Sequence, residues 1–214
     1  MSCIAVIDYD AGNTMSVTNA VKSLGLDVVI SNKPEVLLNA EKVIFPGVGA
    51  YADAMDKLNK YELIGVIKDI VKKGTPFLGI CLGMQLLFDY STENAADIGK
   101  DRVEGLGILP GSITGFKENP TFPGLKVPHM GWNSLNIQKK ESKLFKGISE
   151  GSFVYFVHSF YLNAQNRDDV ASTTEYGILF DSAVERDNIF GCQFHPEKSG
   201  DIGMALLKNF CFLS

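Results

Sequence analysis

Cys81 lies in a segment whose residue types and spacing fit a reactive nucleophile. The G-I-C-L-G run at 79–83 has the G-x-nucleophile-x-G pattern of a nucleophile elbow, with sulfur in place of the usual serine oxygen. An apolar strand is predicted before it at 76–80, and apolar residues at helical spacing follow at 82–88. The positive end of such a helix would favour thiolate over thiol. A buried structural cysteine at a strand end is the alternative interpretation.

A histidine and a glutamate near the end of the chain could activate this cysteine. In the segment C-Q-F-H-P-E at 192–197, a predicted strand runs into His195, and Glu197 follows two residues later. Residues i and i+2 of extended backbone face the same side, and Pro196 favours extended backbone at His195, so we expect imidazole and carboxylate side by side. Thiolate, histidine and carboxylate together form a triad for acyl transfer. A solvated turn at a strand end is the alternative.

Acyl transfer also needs hydrogen-bond donors for the oxyanion, and the P-G-V-G segment at 46–49 could supply them. It follows an apolar strand, and its glycines could turn backbone N–H groups into a cavity. In a parallel sheet this loop and Cys81 would both lie at the carboxyl ends of strands, where ligand sites of α/β proteins form. One such donor is typically worth about 10²–10³ in rate. Taken alone, the segment is only a turn.

The elements that must position these residues alternate through the first half of the chain. Helices are predicted at 15–24 and, in two pieces, at 51–73, between strands at 3–8, 28–31, 42–45 and 76–80. This alternation predicts right-handed βαβ units and a parallel sheet covered on both faces. After a polar loop at 90–102, the second half is strand-rich, with a hairpin turn at 186–188 and a final helix at 201–212. We expect it to extend the sheet or to add antiparallel strands.

Length and composition indicate one globular domain that spans 1–214. The 214 residues are 45% hydrophobic and 21% charged, with a net charge of −5. There is no basic cluster and no long apolar run or signal segment, so neither nucleic-acid binding nor membrane association is expected. The four cysteines lack the paired spacing of zinc sites or disulfide frameworks. A cytoplasmic enzyme or subunit without metal or cofactor is the expectation.

Taken together, these motifs resemble the triad-type (class I) glutamine amidotransferases over nearly the whole chain. Within that class the chain resembles the glutaminase subunit of imidazole glycerol phosphate synthase from histidine biosynthesis. The narrower resemblance rests on I-D-Y-D-A-G-N at 7–13, P-G-V-G-A-Y at 46–51, V-P-H-M-G-W-N at 127–133 and Y-F-V-H-S-F-Y at 155–161. It implies the flavodoxin-like α/β fold of the class: a mostly parallel central sheet flanked by helices, with an added antiparallel strand region in the C-terminal half.

The resemblance also implies a reaction and a substrate. Cys81 would attack the side-chain amide of L-glutamine, and His195 would protonate the departing ammonia and then activate water against the thioester, while Glu197 orients His195. The N–H groups of Val48 and Leu82 would hold the oxyanion. The glutamine-binding residues implied are Gly47, Gly49, Gln85, Ser159 and Phe160.

The family pairs this subunit with a (β/α)₈-barrel cyclase in a heterodimer, to which ammonia passes for synthesis of imidazole glycerol phosphate and AICAR. The M-G-W segment at 130–132 holds the sole tryptophan, a residue enriched among interface anchors, although a core tryptophan is the alternative. The interface residues expected on this basis are Pro128, Met130, Trp132, Asn133, Tyr155 and Lys198.

Three other functions remain open at this point. One is a triad amidotransferase that serves pyridoxal phosphate, folate or tryptophan synthesis. Another is a catalytically silent binding or regulatory protein, which would have no chemical reason to retain Cys81, His195 and Glu197 together. A free-standing peptidase is the third.

Overall fold

The computed structural model describes residues 3–96 and 99–213. Within those ranges the strands are β1 (Cys3–Ile7), β2 (Asp27–Ser31), β3 (Lys42–Gly47), β4 (Phe77–Cys81), β5 (Tyr90–Ser91), β6 (Val103–Glu104), β7 (Gly111–Gly115), β8 (His129–Ser134), β9 (Asn136–Ile137), β10 (Phe153–His158), β11 (Phe160–Ala164), β12 (Val170–Glu175), β13 (Leu179–Arg186) and β14 (Ile189–Cys192). The α-helices are α1 (Thr14–Lys22), α2 (Pro34–Leu38), α3 (Tyr51–Lys60), α4 (Leu63–Lys72), α5 (Leu82–Gln85) and α6 (Gly200–Cys211). None of the helices described has the length and apolarity needed to cross a membrane.

The main sheet joins a parallel half to an antiparallel half. Its order is β2-β1-β3-β4-β14-β13-β11-β7-β5-β6, and the neighbours from β2 to β14 are all parallel. From β14 through β13 and β11 to β7 the strands pair antiparallel. The pair β8–β10 forms a separate two-stranded ribbon. The α/β fold with its added antiparallel region, as predicted, is confirmed.

Two cores cover the parallel strands, one on each face. Along β3, Val43 and Phe45 enter the core that α3 and α4 cover, while Ile44 enters the core that α1 and α6 cover. Strands buried on both faces read as continuous apolar runs, because no face is left for polar residues. This is why the pattern of the first half predicted the parallel sheet correctly.

Several predicted boundaries were wrong. The helix expected at 82–88 ends at Gln85 after one turn, so only a weak helix dipole acts on Cys81. The strand-rich second half was predicted without individual strand bounds. One break within it lies at Ser159, where the chain passes from β10 of the ribbon to β11 of the main sheet. Helix α2 was not predicted, and its five residues are too few to establish a helical period. The polar stretch at 90–102 begins as strand β5, and its residues 97–98 lie outside the described ranges.

The ribbon buries a pair of hydrogen-bonded histidines. His158 Nδ1 lies 2.8 Å from the carbonyl oxygen of Phe160, so this nitrogen must donate, and His158 Nε2 then accepts from His129 Nδ1 at 2.9 Å. Burial lowers the pKa of His129 to about 4 and that of His158 to about 3, the latter with a smaller contribution from the neighbouring His129 and His195. Both rings are therefore neutral at physiological pH.

This pair makes stability dependent on pH in a predictable direction. In the unfolded chain each histidine titrates near 6.5, whereas in the folded protein protonation requires a pH near 4 or 3. The stabilisation is complete above about pH 6.5 and is lost as the pH falls towards the folded values. We expect urea unfolding to show about 2 kcal/mol less stability per histidine at pH 5 than at pH 7.5. His158→Gln should make this difference about 2 kcal/mol smaller, the share of one histidine; an equal difference in both proteins would contradict the assignment.

Candidate active site

The three predicted motifs meet because the strands that precede them are neighbours. Cys81 ends β4 and pairs with Gly47 at the end of β3, while Cys192 of β14 pairs with Ile80 on the other side of β4. The carboxyl ends of these parallel strands therefore lie at one edge of the sheet. As in other open α/β sheets, this edge is where a ligand site can form.

Cys81 has the backbone conformation of a nucleophile elbow. Its φ of 53° and ψ of −113° are unusual for a residue with a side chain and indicate local strain. The glycines around it permit the sharp turn. A Cβ at Gly83 would lie 1.8 Å from the carbonyl oxygen of Phe45, and one at Gly79 would lie 2.7 Å from Cα of Met84. Only glycine therefore lets α5 approach β3 and β4 this closely.

His195 and Glu197 form a buried, hydrogen-bonded pair. His195 Nδ1 lies 2.9 Å from Glu197 Oε1, and the two side chains are 2% and 1% exposed. Asn13 Nδ2 donates to the same carboxylate oxygen at 3.4 Å. The side-by-side placement is as expected, and His195 is itself extended, as expected (φ −99°, ψ 96°). The extended backbone does not continue to Glu197, however, because Pro196–Lys198 is a 3₁₀ turn. Pro196 fits the first position of such a turn, because its missing N–H would have no partner there.

The remaining ring nitrogen of His195 has a distinct environment. Nε2 is buried and has no hydrogen-bond partner within the part of the chain that the structure describes. Burial opposes a charged imidazolium, but Cys81 and the Glu197 carboxylate stabilise the charge more strongly and raise the pKa of His195 to about 10. A histidine protonated at neutral pH cannot take a proton from a thiol, but it can give one to a leaving amine. The arrangement therefore suits a thiolate–imidazolium pair.

A cavity of ≈ 330 Å³ opens over Cys81 and His195. Most of the residues predicted for substrate or oxyanion contacts line it, and Pro128 from the expected interface lines it too. The lining residues are Val48, Gly49, Cys81, Leu82, Gln85, Glu93, Pro128, Val157, His158, Ser159, Phe160 and His195. Gly47, also predicted to contact substrate, is not among the lining residues. A Cβ at Gly47 would be 2.5 Å from the Tyr9 hydroxyl oxygen and 2.9 Å from Leu82 Cβ.

The two backbone groups expected in the oxyanion hole differ in their hydrogen bonding. Leu82 begins α5, so its N–H has no carbonyl partner within its own helix. The Val48 N–H instead donates to the carbonyl of Ala11 over 3.4 Å, a long hydrogen bond. The next residue, Gly49, has a φ of 104°, a value that glycine adopts without steric cost. The Val48 N–H is thus engaged in a weak hydrogen bond, and it lies next to a glycine whose backbone conformation other residues rarely adopt.

Comparison with known proteins identifies the family. Residues 5–213 match the family model described as glutamine amidotransferase class-I. The imidazole glycerol phosphate synthase subunit HisH of Caldanaerobacter subterraneus subsp. tengcongensis is 47% identical over 97% of this chain and 96% of that protein. The HisH subunit of Geobacter metallireducens is 45% identical over 98% of each. The chain belongs to the HisH family of class-I glutamine amidotransferases.

Solved structures support the same fold for this amidotransferase. A structure described as a glutamine amidotransferase superposes with a TM-score of 0.71 at 16% identity and covers 97% of this chain and 98% of its own. A glutamine amidotransferase from Thermotoga maritima gives 0.60 at 20% identity, with 98% of this chain and 82% of that one covered. At these identities the likeness concerns the fold alone.

Sequence reasoning missed two polar side chains of the amidotransferase site. Glu93 lines the cavity and accepts a hydrogen bond from the Tyr51 N–H at 3.0 Å. Burial raises the pKa of Glu93, an effect that this hydrogen bond partly offsets. Gln193 is fully buried beside Cys81. The sequence offered one signal for Gln193: it is a polar residue within the apolar run that leads to His195. Glu93 lies in the polar stretch at 90–102, where no pattern distinguishes it from its neighbours.

The residues expected at an interface differ in their exposure on the amidotransferase. Met130 and Trp132 are 60% and 54% exposed on the outer face of the β8–β10 ribbon. Tyr155 pairs with Trp132 across the ribbon, and their rings pack edge to face with 6.1 Å between the ring centroids. Asn133 turns inward and donates to the carbonyl of Glu175 at 2.8 Å. Lys198 is exposed directly after Glu197.

Proposed function

We propose that this amidotransferase hydrolyses L-glutamine to glutamate and ammonia through Cys81, His195 and Glu197. We further propose that it delivers the ammonia to a cyclase subunit that makes imidazole glycerol phosphate and AICAR in histidine biosynthesis. The observation that most supports the hydrolysis is that His195, which is paired with Glu197 at 2.9 Å, lines the same cavity as Cys81. The full-length similarity to HisH subunits supports the choice of pathway.

In this mechanism the Cys81 thiolate forms a bond to the amide carbon of glutamine, and negative charge moves to the carbonyl oxygen. His195 gives its proton to the amide nitrogen as the C–N bond breaks, which releases ammonia and leaves a γ-glutamyl thioester. Neutral His195 then takes a proton from water as the water oxygen attacks the thioester carbon. The C–S bond breaks, Cys81 leaves as a thiolate beside the protonated His195, and Glu197 keeps Nδ1 protonated throughout.

The cavity offers complementary groups for the amino-acid end of glutamine. The substrate ammonium needs an anion, and Glu93 is the carboxylate that lines the cavity. The Gln85 side chain and the backbone near Gly49, Ser159 and Phe160 supply amide groups for the substrate carboxylate and ammonium. Since Glu93 is partly desolvated, pairing with the substrate would offset the cost of keeping its charge.

The oxyanion hole requires one backbone change. Leu82 N–H is available at the start of α5, but Val48 N–H must leave the Ala11 carbonyl before it can donate to the oxyanion. The existing bond is 3.4 Å long, so the energy lost on breaking it is small. We propose that binding of the cyclase and its ligand favours the turned form, which would make glutamine hydrolysis depend on the partner.

For the partner we propose a (β/α)₈-barrel cyclase in a heterodimer, docked on the outer face of the β8–β10 ribbon. Met130, Trp132 and Phe153 are each more than half exposed there, at 60%, 54% and 57%. Large apolar side chains that alternate along two paired strands form a continuous patch, and such patches mark interaction sites. The cavity is lined by Val157 of this ribbon and by Pro128, which directly precedes the ribbon, so a partner docked there would lie beside the cavity.

A covalent label tests the hydrolysis step without any partner. A glutamine-derived electrophile should modify this chain at Cys81, and Cys81→Ser should remove the modification. Cys211→Ser, which alters another buried cysteine, is the matched control and should label as the wild type does. Equal labelling of Cys81→Ser and wild type would reject Cys81 as the nucleophile.

Trp132→Ala should weaken binding of the cyclase by about 30-fold or more, because an exposed tryptophan at an interface centre commonly contributes that much. Its effect on folding should be small, since the side chain is 54% exposed in this chain. Calorimetric titration gives the Kd and urea unfolding gives the stability. Phe212→Ala removes a similarly exposed aromatic outside the ribbon and should leave the Kd unchanged. A Trp132→Ala protein with the wild-type Kd would place Trp132 outside the interface.

A further inference from the structure

Gln193 is the fully buried polar residue that lies closest in sequence to the His195–Glu197 pair, and the mechanism above gives it no role. It follows the end of β14, where its backbone N–H donates to the carbonyl of Ser182 at 2.9 Å. Its side-chain Nε2 lies 3.6 Å from Cys81 Sγ, and its Oε1 lies 2.8 Å from Gln85 Nε2. The side chain therefore bridges the nucleophile and a residue proposed to hold glutamine.

The direction of these hydrogen bonds follows from one fixed acceptor. Gln85 lies 3.1 Å from the backbone carbonyl of Phe160, which can only accept, so the Gln85 atom there must be its NH₂ group. That NH₂ group then donates its second hydrogen to Gln193, which must present its oxygen. The NH₂ group of Gln193 consequently faces the sulfur of Cys81. Sulfur is the acceptor in this contact, and a thiolate accepts more strongly than a thiol.

We propose that Gln193 is a positioning residue that holds the Cys81 sulfur as a thiolate and fixes its distance from Gln85. This inference rests on the proposed glutaminase function. The backbone strain at Cys81 makes such a restraint useful, because a side chain on a strained turn needs fixed partners to keep one rotamer. The donor also stabilises the thiolate when it leaves the thioester at the end of the reaction.

Two substitutions separate the donor role from a merely structural role. Gln193→Glu keeps an oxygen that can accept from Gln85, but it removes the N–H donor to the Cys81 sulfur and places a carboxyl group beside that sulfur. Gln193→Met has similar length and no charge, and it loses both contacts. Gln138→Glu makes the same chemical change at an exposed glutamine and serves as the control.

The first measurement is the rate of Cys81 alkylation by iodoacetamide as a function of pH, read from the Cys81 peptide by mass spectrometry so that the other cysteines do not contribute. The pH midpoint should rise by about one unit or more in Gln193→Glu and also, by a smaller amount, in Gln193→Met. In the glutaminase assay of the complex, kcat should fall by about tenfold or more in both variants, and KM should rise only in Gln193→Met.

Unchanged alkylation profiles in both variants, with kcat within twofold of the wild type, would overturn the proposal. If Gln193→Glu does not fold, Gln193→Met alone decides by the same criteria. A wild-type protein that alkylates normally at Cys81 but hydrolyses no glutamine would instead reject the glutaminase function, which separates the two failures.

Discussion

Cys81→Ala is expected to abolish glutamine-dependent synthesis by the complex while synthesis from ammonium salts continues. The thioester cannot form without the sulfur, so glutamine-dependent turnover should fall by more than about 10⁴-fold. The proposed cyclase would need only ammonia from this chain, so its own site should be unaffected. Imidazole glycerol phosphate formation, followed with glutamine or with an ammonium salt as the nitrogen source, gives both rates in one assay.

The measurement with an ammonium salt also distinguishes a catalytic role of Cys81 from a structural one. Cys81 is 7% exposed and contacts the core that α1 and α6 cover, so the alanine variant loses some packing as well as the nucleophile. Cys211→Ala, a change of equal size at another cysteine that is 7% exposed, should retain both activities. Loss of both activities in Cys81→Ala would mean that the residue supports the complex structurally.

Glu197→Gln is expected to lower kcat by about 10³–10⁴-fold with little change in KM. The carboxylate accepts from His195 Nδ1 at 2.9 Å and stabilises the imidazolium that protonates ammonia. A neutral amide of the same shape removes this charge, lowers the proton affinity of His195 and permits the wrong tautomer. Steady-state kinetics of glutamine hydrolysis by the complex measures the effect.

The matched control for this change is Glu35→Gln, an exposed carboxylate in α2 that does not line the cavity. It should leave kcat unchanged. Because the Glu197 side chain is 1% exposed, stability is measured in parallel to confirm that Glu197→Gln is folded. A folded Glu197→Gln protein with kcat within tenfold of the wild type would remove the carboxylate from the triad.

The arrangement of the site could be predicted from the sequence because its determinants are local. G-I-C-L-G at 79–83 needs only its own glycines to form the elbow, and H-P-E at 195–197 places carboxylate beside imidazole through three consecutive residues. Continuous apolar runs then identified the parallel strands whose ends bring these segments together. The side-by-side placement of His195 and Glu197 was predicted correctly although the backbone after His195 is a 3₁₀ turn and not extended, because both conformations allow that contact.

Features that depend on distant residues could not be predicted. The apolar residues at 86–88 have helical spacing, but their backbone carbonyls accept hydrogen bonds from N–H groups at 106–109, and this pairing ends α5 at Gln85. Glu93 reaches the cavity because the Tyr51 N–H anchors it from 42 residues away in the chain. The Val48 contact with Ala11 likewise joins two loops. The hydrophobic periodicity of one segment does not indicate which distant segment its backbone or side chains will contact.

The most direct test of the central proposal is ammonia release from glutamine by the purified chain, alone and with the barrel cyclase and its nucleotide ligand. The bond between Val48 N–H and the Ala11 carbonyl predicts a slow isolated chain, because one oxyanion donor is engaged elsewhere. We expect strong release only when the cyclase and its ligand are both present. Appreciable release from the chain alone, unaffected by the cyclase, would contradict the proposal and would assign this triad to a different synthase.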